Sequence, residues 1–277
     1  MAEDFNKDGM ANTLIVAIGI CLVCSIVVAG SAVGLRPLQM ANKELDRKQN
    51  ILRAAGMLGA DATVAEDGRG VEDLFAEFEV RAVSLDTGVY MDDVDTALYD
   101  PIKAAKQDDA SRELGPQEDR ATLGRRENVS LVYLRRRDGA LDKVVIPVRG
   151  YGLWGTLFGY LALEGDLNTV AGIGFYEHKE TPGLGGEVDN TGWKAGWSGT
   201  RVFTADGTPS INLVKTRSPE TSSAAAHEVD ALSGATLTSR GIENLINFWT
   251  GELGFGPYLQ RLKFESAQAQ INPRRER

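Results

Sequence analysis

The chain has 277 residues, of which 43% are hydrophobic and 25% are charged, and its formal net charge at pH 7 is −9. That length is enough for one large domain or two small ones with a proper core. The acidic balance argues against nucleic acid as a partner, because no basic face is apparent that would neutralise phosphates. The two histidines, His178 and His227, are too few for a histidine-rich metal centre and make a Ser-His-Asp hydrolase a poor interpretation.

The first predicted element is a membrane anchor. No charged residue occurs between Asp8 and Arg36, and the stretch from Leu14 to Leu35 is dominated by apolar residues. A bilayer-spanning helix needs about 20 such residues. A cleavable signal peptide is the alternative, but its apolar core is shorter and follows an excess of basic residues, whereas Lys7 is outnumbered here by acidic neighbours. We therefore predict an uncleaved transmembrane helix.

Both cysteines, Cys21 and Cys24, lie within this apolar run. Their C-x-x-C spacing also occurs in redox and metal motifs. A structural zinc site needs four ligands, however, and this chain supplies two thiols. We interpret them as small apolar residues of the helix.

The charges that follow the anchor favour one membrane orientation. Arg36, Lys43, Arg47 and Lys48 come directly after the apolar run. The positive-inside tendency then places the large C-terminal part in the cytoplasm.

Apolar side chains at helical spacing predict two amphipathic helices beyond the anchor, over residues 42–58 and 71–80. The first ends near Gly56, which suits a helix C-cap. The apolar positions are Leu45, Ile51 and Leu52 in the first helix, and Val71, Leu74, Phe75 and Phe78 in the second. Residues 100–127 are polar and charge-rich, so we expect a surface excursion or linker there, outside the core.

From residue 129 the pattern changes to strands and hairpin turns. Three pairs of strand-like segments flank the turn dipeptides Asp138-Gly139, Gly165-Asp166 and Asp206-Gly207. The paired segments are 129–136 with 141–148, 157–163 with 170–175, and 201–204 with 211–214. Three hairpins predict a mainly antiparallel sheet. No G-x-G-x-x-G follows a strand, so a dinucleotide-binding fold is not supported.

A last amphipathic helix is predicted just beyond Thr236, from the helical spacing of Ile242, Leu245, Ile246 and Trp249. The predicted fold class is α+β, with one N-terminal transmembrane helix followed by one soluble domain that has a mainly antiparallel sheet and flanking helices. The predicted boundaries are a tail at 1–9, the transmembrane helix at 10–35, a juxtamembrane helical segment at 36–65 and the soluble domain at 66–277, with its cofactor-binding part at about 140–260.

The segment Asp230-Ala-Leu-Ser-Gly-Ala-Thr-Leu-Thr-Ser239 precedes that last helix. Gly and Ala let the backbone approach a phosphate closely, and a helix N-terminus attracts anions. The hydroxyl groups also offer sites for esterification. The alternative is an ordinary helix entry, since Ser, Thr, Gly and Asp are common loop and N-cap residues.

Two further glycine-containing motifs support a cofactor site. In Gly150-Tyr-Gly-Leu-Trp-Gly155, glycines permit close backbone approach and an aromatic ring can lie against a planar group, although a turn with core aromatics fits equally well. In Glu180-Thr-Pro-Gly-Leu-Gly185, proline fixes one backbone angle, glycines allow unusual ones, and Glu and Thr can hydrogen-bond a heterocycle.

These three motifs resemble a family of covalent flavoproteins. Asp-x-x-Ser-Gly-Ala-Thr is similar to the flavinylation motif in which FMN is joined by a phosphoester to the last threonine. With Tyr-Gly-Leu-Trp-Gly and Glu-Thr-Pro-Gly-Leu-Gly, the chain resembles the covalent FMN-binding C subunit of the sodium-translocating NADH:ubiquinone oxidoreductase. The G-type subunit of the complex that exchanges electrons between ferredoxin and NAD shares the anchor and the flavinylation motif, and stays open as an alternative.

The resemblance implies a role for each matched residue. Thr236 would carry the FMN, and Asp230 would serve the flavin transferase. Ser233, Gly234 and Ala235 would surround the phosphate. The residues that would contact or position the ring system are Glu180, Thr181, Gly183 and Leu184, with Leu153 and Trp154 on another side. Lys215 matches a family lysine that would stabilise reduced flavin or the phosphate, and a solvated lysine is the alternative.

The resemblance also implies a function. The chain would relay electrons from NADH towards ubiquinone within a sodium-pumping complex, without binding NADH or quinone itself and without activity alone. Its implied partners are the A, B, D, E and F subunits, a flavin transferase and membrane lipid. The soluble domain would be periplasmic at the bacterial inner membrane, against the orientation that the flanking charges favour. A non-enzymatic membrane assembly subunit with unmodified Thr236 is the second alternative.

Overall fold

The computed structural model describes residues 9–271, so nearly all of the predicted tail at 1–9 lies outside the described residues. The chain divides into two compact units, one that ends at Arg47 and one that begins at Lys48. The helices are α1 (Met10–Ala54), α2 (Val71–Phe75), α3 (Pro101–Ala104), α4 (Thr191–Ala195), α5 (Thr236–Thr250) and α6 (Gly256–Ile271). The strands are β1 (Phe78–Ser84), β2 (Ser111–Glu113), β3 (Arg125–Glu127), β4 (Val129–Arg137), β5 (Ala140–Tyr151), β6 (Thr156–Glu164), β7 (Val170–Glu177), β8 (Asn212–Val214) and β9 (Glu228–Asp230).

Helix α1 is continuous over 45 residues, with Pro37 inside it. The predicted anchor and the helix predicted to follow it are therefore one element. The helix ends before Gly56, whose φ of 70° suits the predicted C-cap glycine. Within the described residues, α1 is the helix long and apolar enough to cross a membrane, and an 18-residue stretch of it has a mean hydropathy of 2.7. At 1.5 Å per residue it is about 68 Å long, roughly twice the hydrocarbon thickness of a bilayer.

The main sheet has five antiparallel strands in the order β1-β4-β5-β6-β7. Its predicted hairpin turn at Asp138-Gly139 is confirmed, with φ of 52° and 80° at the two residues. Positive φ at both central residues is what a two-residue turn needs to match the right-handed twist of its strands. The predicted pairing of 157–163 with 170–175 is also confirmed, as β6 with β7.

Both faces of this sheet are covered. Val132 and Leu134 belong to the larger core, which includes buried residues of α5 and α6. Leu131 and Tyr133 belong to a second core, with α2 and the last turn of α1 from Ile51 onwards. Because side chains alternate along a strand, a strand with two covered faces is buried at consecutive positions.

Three sequence predictions fail in parts of the soluble unit. The helix predicted over 71–80 stops at Phe75, and its last three residues, 78–80, begin β1 because they pair with β4 across the sheet. The hairpin predicted at 201–214 is reduced to a bridge between Phe203 and Pro209. Residues 212–214 instead pair in parallel with 228–230.

The third failure is the surface excursion predicted at 100–127. This region contains α3 and the small antiparallel sheet of β2 and β3. Arg126 and Glu127 are fully buried. Charge density misled the prediction at these two positions. Arg126 bonds to Asp86 and to the Leu253 carbonyl, and Glu127 pairs with the largely buried Arg149. Charged groups are buried where they have such partners.

Candidate functional site

The segment between β9 and α5 forms a tight, internally bonded loop. Thr236 is the first residue of α5. The Ser239 hydroxyl accepts from the Leu232 N–H at 3.0 Å and donates to the Ala235 carbonyl at 3.0 Å, so the helix ties back the loop before it. Gly234 has a φ of 72°, in the left-handed region that glycine adopts without strain.

This loop and helix differ sharply in which hydroxyl groups they expose. Thr238 and Ser239 are 0% and 3% exposed, and both are hydrogen-bonded inside the protein. Ser233 and Thr236 are exposed. The fold therefore leaves Ser233 and Thr236 as the hydroxyl groups of this motif that an external enzyme can reach.

Thr236 opens onto a cleft of about 570 Å³. The cleft is lined by Leu213, Lys215, Ala231, Leu232, Ser233, Gly234, Thr236, Ser239, Arg240 and Glu243. In the described part of the chain, no hydrogen bond or ion pair links the side chain of Lys215 or of Arg240 to another residue. Glu243 is engaged, because its carboxylate accepts from the Leu213 N–H at 2.9 Å. The cleft thus offers two cationic groups beside the Thr236 hydroxyl.

Exposed apolar side chains come from the two glycine-containing motifs and from the start of α5. Leu153, Trp154, Leu184 and Leu237 are exposed by 40%, 61%, 45% and 54%. Leu184 lies over the loop between β9 and α5, since a Cβ built on Gly234 would be 3.1 Å from its Cδ2 atom. These side chains present apolar surface of the kind that a planar ring system contacts.

Glu180 lies inside the protein, where the residue is only 5% exposed. Its carboxylate accepts hydrogen bonds from the backbone N–H groups of Leu153 and Trp154 and from the Thr238 hydroxyl. The carboxylate therefore joins the two glycine-containing motifs to the first turn of α5.

Two other predicted site residues, Thr181 and Asp230, make hydrogen bonds within the protein. The Thr181 carbonyl accepts from the N–H groups of Leu184 and Gly186, which closes the turn around Gly183, where φ is 77°. Asp230 is exposed, with its carboxylate 3.1 Å from Arg217 Nε. Neither arrangement prevents contact with a ligand at the surface.

The segment between Arg217 and Glu228 is tethered at its ends. Hydrogen bonds from the Ser218 backbone N–H and hydroxyl lower the pKa of the Glu228 carboxyl. A carboxyl group with a lowered folded-state pKa contributes stability at neutral pH that is lost as the pH falls through that pKa. The segment beside Asp230 is thus held in place at neutral pH.

Sequence reasoning missed Arg240 and Glu243 as neighbours of Thr236. Their signal was present, because residues four and seven positions after the start of a helix lie on its first residue's face. Among residues 9–271, no group of three or more His, Cys, Asp and Glu side chains is arranged to hold a metal ion.

Comparison with known proteins identifies the class of protein to which this fold and this site belong. Residues 152–251 match the FMN-binding domain family, and this range contains the loop, the cleft and the apolar side chains described above. FMN is therefore the cofactor of this domain, as predicted.

Over the whole chain the similarity is more specific. The chain is 47% identical over 259 residues to the C subunit of the Na(+)-translocating NADH-quinone reductase of Pseudomonas aeruginosa, covering 93% of this chain and 98% of the relative. The C subunit of Yersinia pestis is 44% identical, with 93% and 95% covered. This chain belongs to the family of C subunits of the Na(+)-translocating NADH-quinone reductases. The predicted family is confirmed, and the G-type alternative is not retained.

Solved structures agree with this assignment. Shewanella oneidensis NqrC matches with a TM-score of 0.71 and 35% identity, over 80% of this chain and 99% of that chain. The C subunit from Parabacteroides distasonis matches with a TM-score of 0.58 and 27% identity, over 83% and 96%. The predicted α+β class, with one apolar N-terminal helix before an antiparallel sheet and flanking helices, is confirmed. The apolar helix and the relatives together indicate a single-pass membrane protein.

Proposed function

We propose that this chain carries FMN as a phosphoester on Thr236 and relays electrons from NADH towards ubiquinone in a Na(+)-translocating NADH-quinone reductase. The observation that carries the proposal is the exposure of the Thr236 hydroxyl at the start of α5, in a cleft with Lys215 and Arg240. The N-terminal backbone N–H groups of a helix favour an anion. Two nearby cations would add to that preference.

The site's parts have separate tasks in this proposal. Ser233, Gly234 and Ala235 would leave the backbone open to the phosphate, and Leu153, Trp154 and Leu184 would contact the ring. FMN supplies the redox chemistry when it is bound. The covalent bond would keep the cofactor in place while neighbouring subunits oxidise and reduce it.

The proposal includes partners and a compartment. The A, B, D, E and F subunits would donate and accept the electrons, so the isolated chain would not oxidise NADH. A flavin transferase would load the site, and Asp230, exposed beside the attachment loop, would take part in that step. The single helix would anchor the chain in lipid of the bacterial inner membrane.

Peptide mass spectrometry tests the attachment directly. The full chain is co-expressed with a flavin transferase and digested with trypsin, whose cleavage after Arg217 and Arg240 releases one peptide with all the candidate hydroxyl groups. We expect that peptide to gain the mass of FMN less one water, with fragmentation placing the gain on Thr236. An unmodified peptide, with the transferase active on another target, would support the assembly alternative instead.

The two cations of the cleft give a second expected result. Replacing both Lys215 and Arg240 by glutamine should slow flavin attachment by roughly tenfold, the size expected when a hydrogen bond to a charged group is lost. In a timed transferase reaction, flavin fluorescence of the denatured chain measures the rate. Lys263→Gln removes an exposed positive charge from α6 and is the matched control. Equal rates in all three chains would remove the cations from the proposal.

Membrane orientation has a direct test at Ser223, an exposed residue of the soluble unit. We expect Ser223→Cys to react with a membrane-impermeant thiol reagent in intact spheroplasts, which corresponds to a periplasmic domain. The parent chain, with Cys21 and Cys24 only, controls for labelling of the anchor. Labelling that appears only after lysis would place the domain in the cytoplasm, as the flanking charges favour.

A further inference from the structure

We propose that Glu180 is a positioning residue, which fixes the apolar loop at Leu153 and Trp154 relative to the helix that starts at Thr236. The inference rests on the proposed function, since it assigns how the ring-contacting side chains are held beside the attachment point. It assigns Glu180 no contact with the flavin itself.

The contacts of the carboxylate are the first argument. One oxygen accepts from the N–H groups of both Leu153 and Trp154, at 3.0 Å each. The other accepts from the Thr238 hydroxyl at 2.6 Å. Hydrogen bonds to a charged acceptor are among the strong ones in proteins. One side chain thus joins two segments that are far apart in sequence.

The surrounding backbone leaves room for this carboxylate. A Cβ atom built on Gly152 would be 2.6 Å from Oε1 of Glu180, and one built on Gly185 would be 2.6 Å from Oε2. Real Cβ atoms do not approach other atoms so closely. The same positions are equally close to Leu157 Cδ1 and to Thr238 Oγ1, so the glycines at 152 and 185 leave the space in which the Glu180 carboxylate and its neighbours pack.

The backbone of Glu180 is held as well. Its N–H donates to Nδ1 of His178 at 3.2 Å. Because that ring nitrogen accepts, the other one carries the proton, and His178 Nε2 donates to Asp189 at 2.9 Å. Glu180 is therefore fixed at its main chain and at its carboxylate, as a residue that orients others must be.

The direction of the Leu153 and Trp154 backbone N–H groups decides where their side chains lie. Two N–H groups turned inward to Glu180 leave the side chains of Leu153 and Trp154 on the outside, where they are 40% and 61% exposed. The carboxylate itself is buried and already accepts three hydrogen bonds. Its effect on a bound ring is therefore exerted through the loop that it holds.

Two substitutions separate positioning from charge. Glu180→Ala removes all three hydrogen bonds. Glu180→Gln keeps them. The amide oxygen can accept from the N–H groups of Leu153 and Trp154, and the amide NH₂ can donate to the Thr238 hydroxyl oxygen. The Thr238 hydroxyl then donates its own hydrogen to a backbone carbonyl of the preceding helical turn. Glu177→Ala changes an exposed glutamate of the neighbouring strand and is the matched control.

Two readouts are measured on the full chain in detergent. Without flavin, hydrogen exchange of the Leu153 and Trp154 amides should be roughly tenfold faster or more in Glu180→Ala, since each buried N–H group loses its hydrogen-bond acceptor. With flavin attached, its fluorescence anisotropy should fall in Glu180→Ala. Glu180→Gln should restore both values, and Glu177→Ala should match the parent. If Glu180→Ala does not fold, Thr238→Val tests the helix contact alone, through flavin anisotropy.

Each outcome has one meaning. Parent-like exchange and anisotropy in Glu180→Ala would overturn the inference, and so would a Glu180→Gln chain as altered as Glu180→Ala, which would assign the effect to charge. A parent chain that never acquires flavin would contradict the proposed function instead. The exchange measurement would still decide whether Glu180 holds the loop.

Discussion

Thr236→Val is expected to remove all covalently bound flavin from the chain. Valine has the shape of threonine but lacks the oxygen that a phosphoester needs. The Thr236 side chain is exposed, and no hydrogen bond connects it to another described residue. An exposed substitution of this kind changes the free energy of unfolding by about 0.5 kcal/mol or less. A loss of flavin would therefore report the missing bond and not a damaged fold.

The measurement is flavin fluorescence of the denatured chain on a gel after co-expression with a transferase. Ser233→Ala is the informative control, because Ser233 is the other exposed hydroxyl group of the motif. We expect its fluorescence to match the parent. The reverse result, with fluorescence lost in Ser233→Ala and kept in Thr236→Val, would move the attachment point to Ser233.

Glu127→Gln is expected to lower the free energy of unfolding by about 3–5 kcal/mol, the cost of breaking a buried ion pair from one side. Both oxygens of the Glu127 carboxylate accept from Arg149, and one also accepts from Ser130. Arg149 is largely buried, and its guanidinium lies 4.9 Å from the ring centre of Trp249. A neutral partner would leave that charge buried without compensation.

This loss is large against the 5–15 kcal/mol that usually separates folded from unfolded proteins. The substitution also affects the candidate site, because Arg149 is bonded to the helix that carries Thr236: Trp249 Nε1 on α5 donates to the Arg149 carbonyl at 2.6 Å. Denaturant unfolding followed by tryptophan fluorescence measures it. Glu265→Gln breaks the exposed pair with Arg261 and should cost about 0.5 kcal/mol or less. Equal costs for the two variants would contradict the argument from burial.

Features encoded over short stretches of the chain could be predicted. The charge-free run before Arg36 determined the anchor, because a bilayer imposes both length and apolarity. Asp138-Gly139 determined a hairpin, because few residue pairs adopt two positive φ angles. The segment from Asp230 to Ser239 indicated the candidate attachment site through its resemblance to a family.

Features that depend on distant partners could not be predicted in the same way. Residues 100–127 looked like a solvated excursion because their charges are visible in the sequence, whereas the partner of Glu127 comes from β5. The spacing of Phe78 fitted a helix as well as a strand, because a short apolar pattern does not distinguish the two. The pairing of Phe78 with β4 makes this position part of a strand.

The sequence by itself determined the family, the anchor and the identity of the loop that holds the candidate attachment residue. Only the tertiary structure decided which hydroxyl groups of that loop are exposed, and that the Glu180 carboxylate faces Thr238, 58 residues away, instead of open surface. The physical reason is the distance along the sequence over which each interaction acts. Backbone preference and apolar run length act between neighbours in sequence, whereas burial and hydrogen-bond partners are set by which strands and helices meet in space.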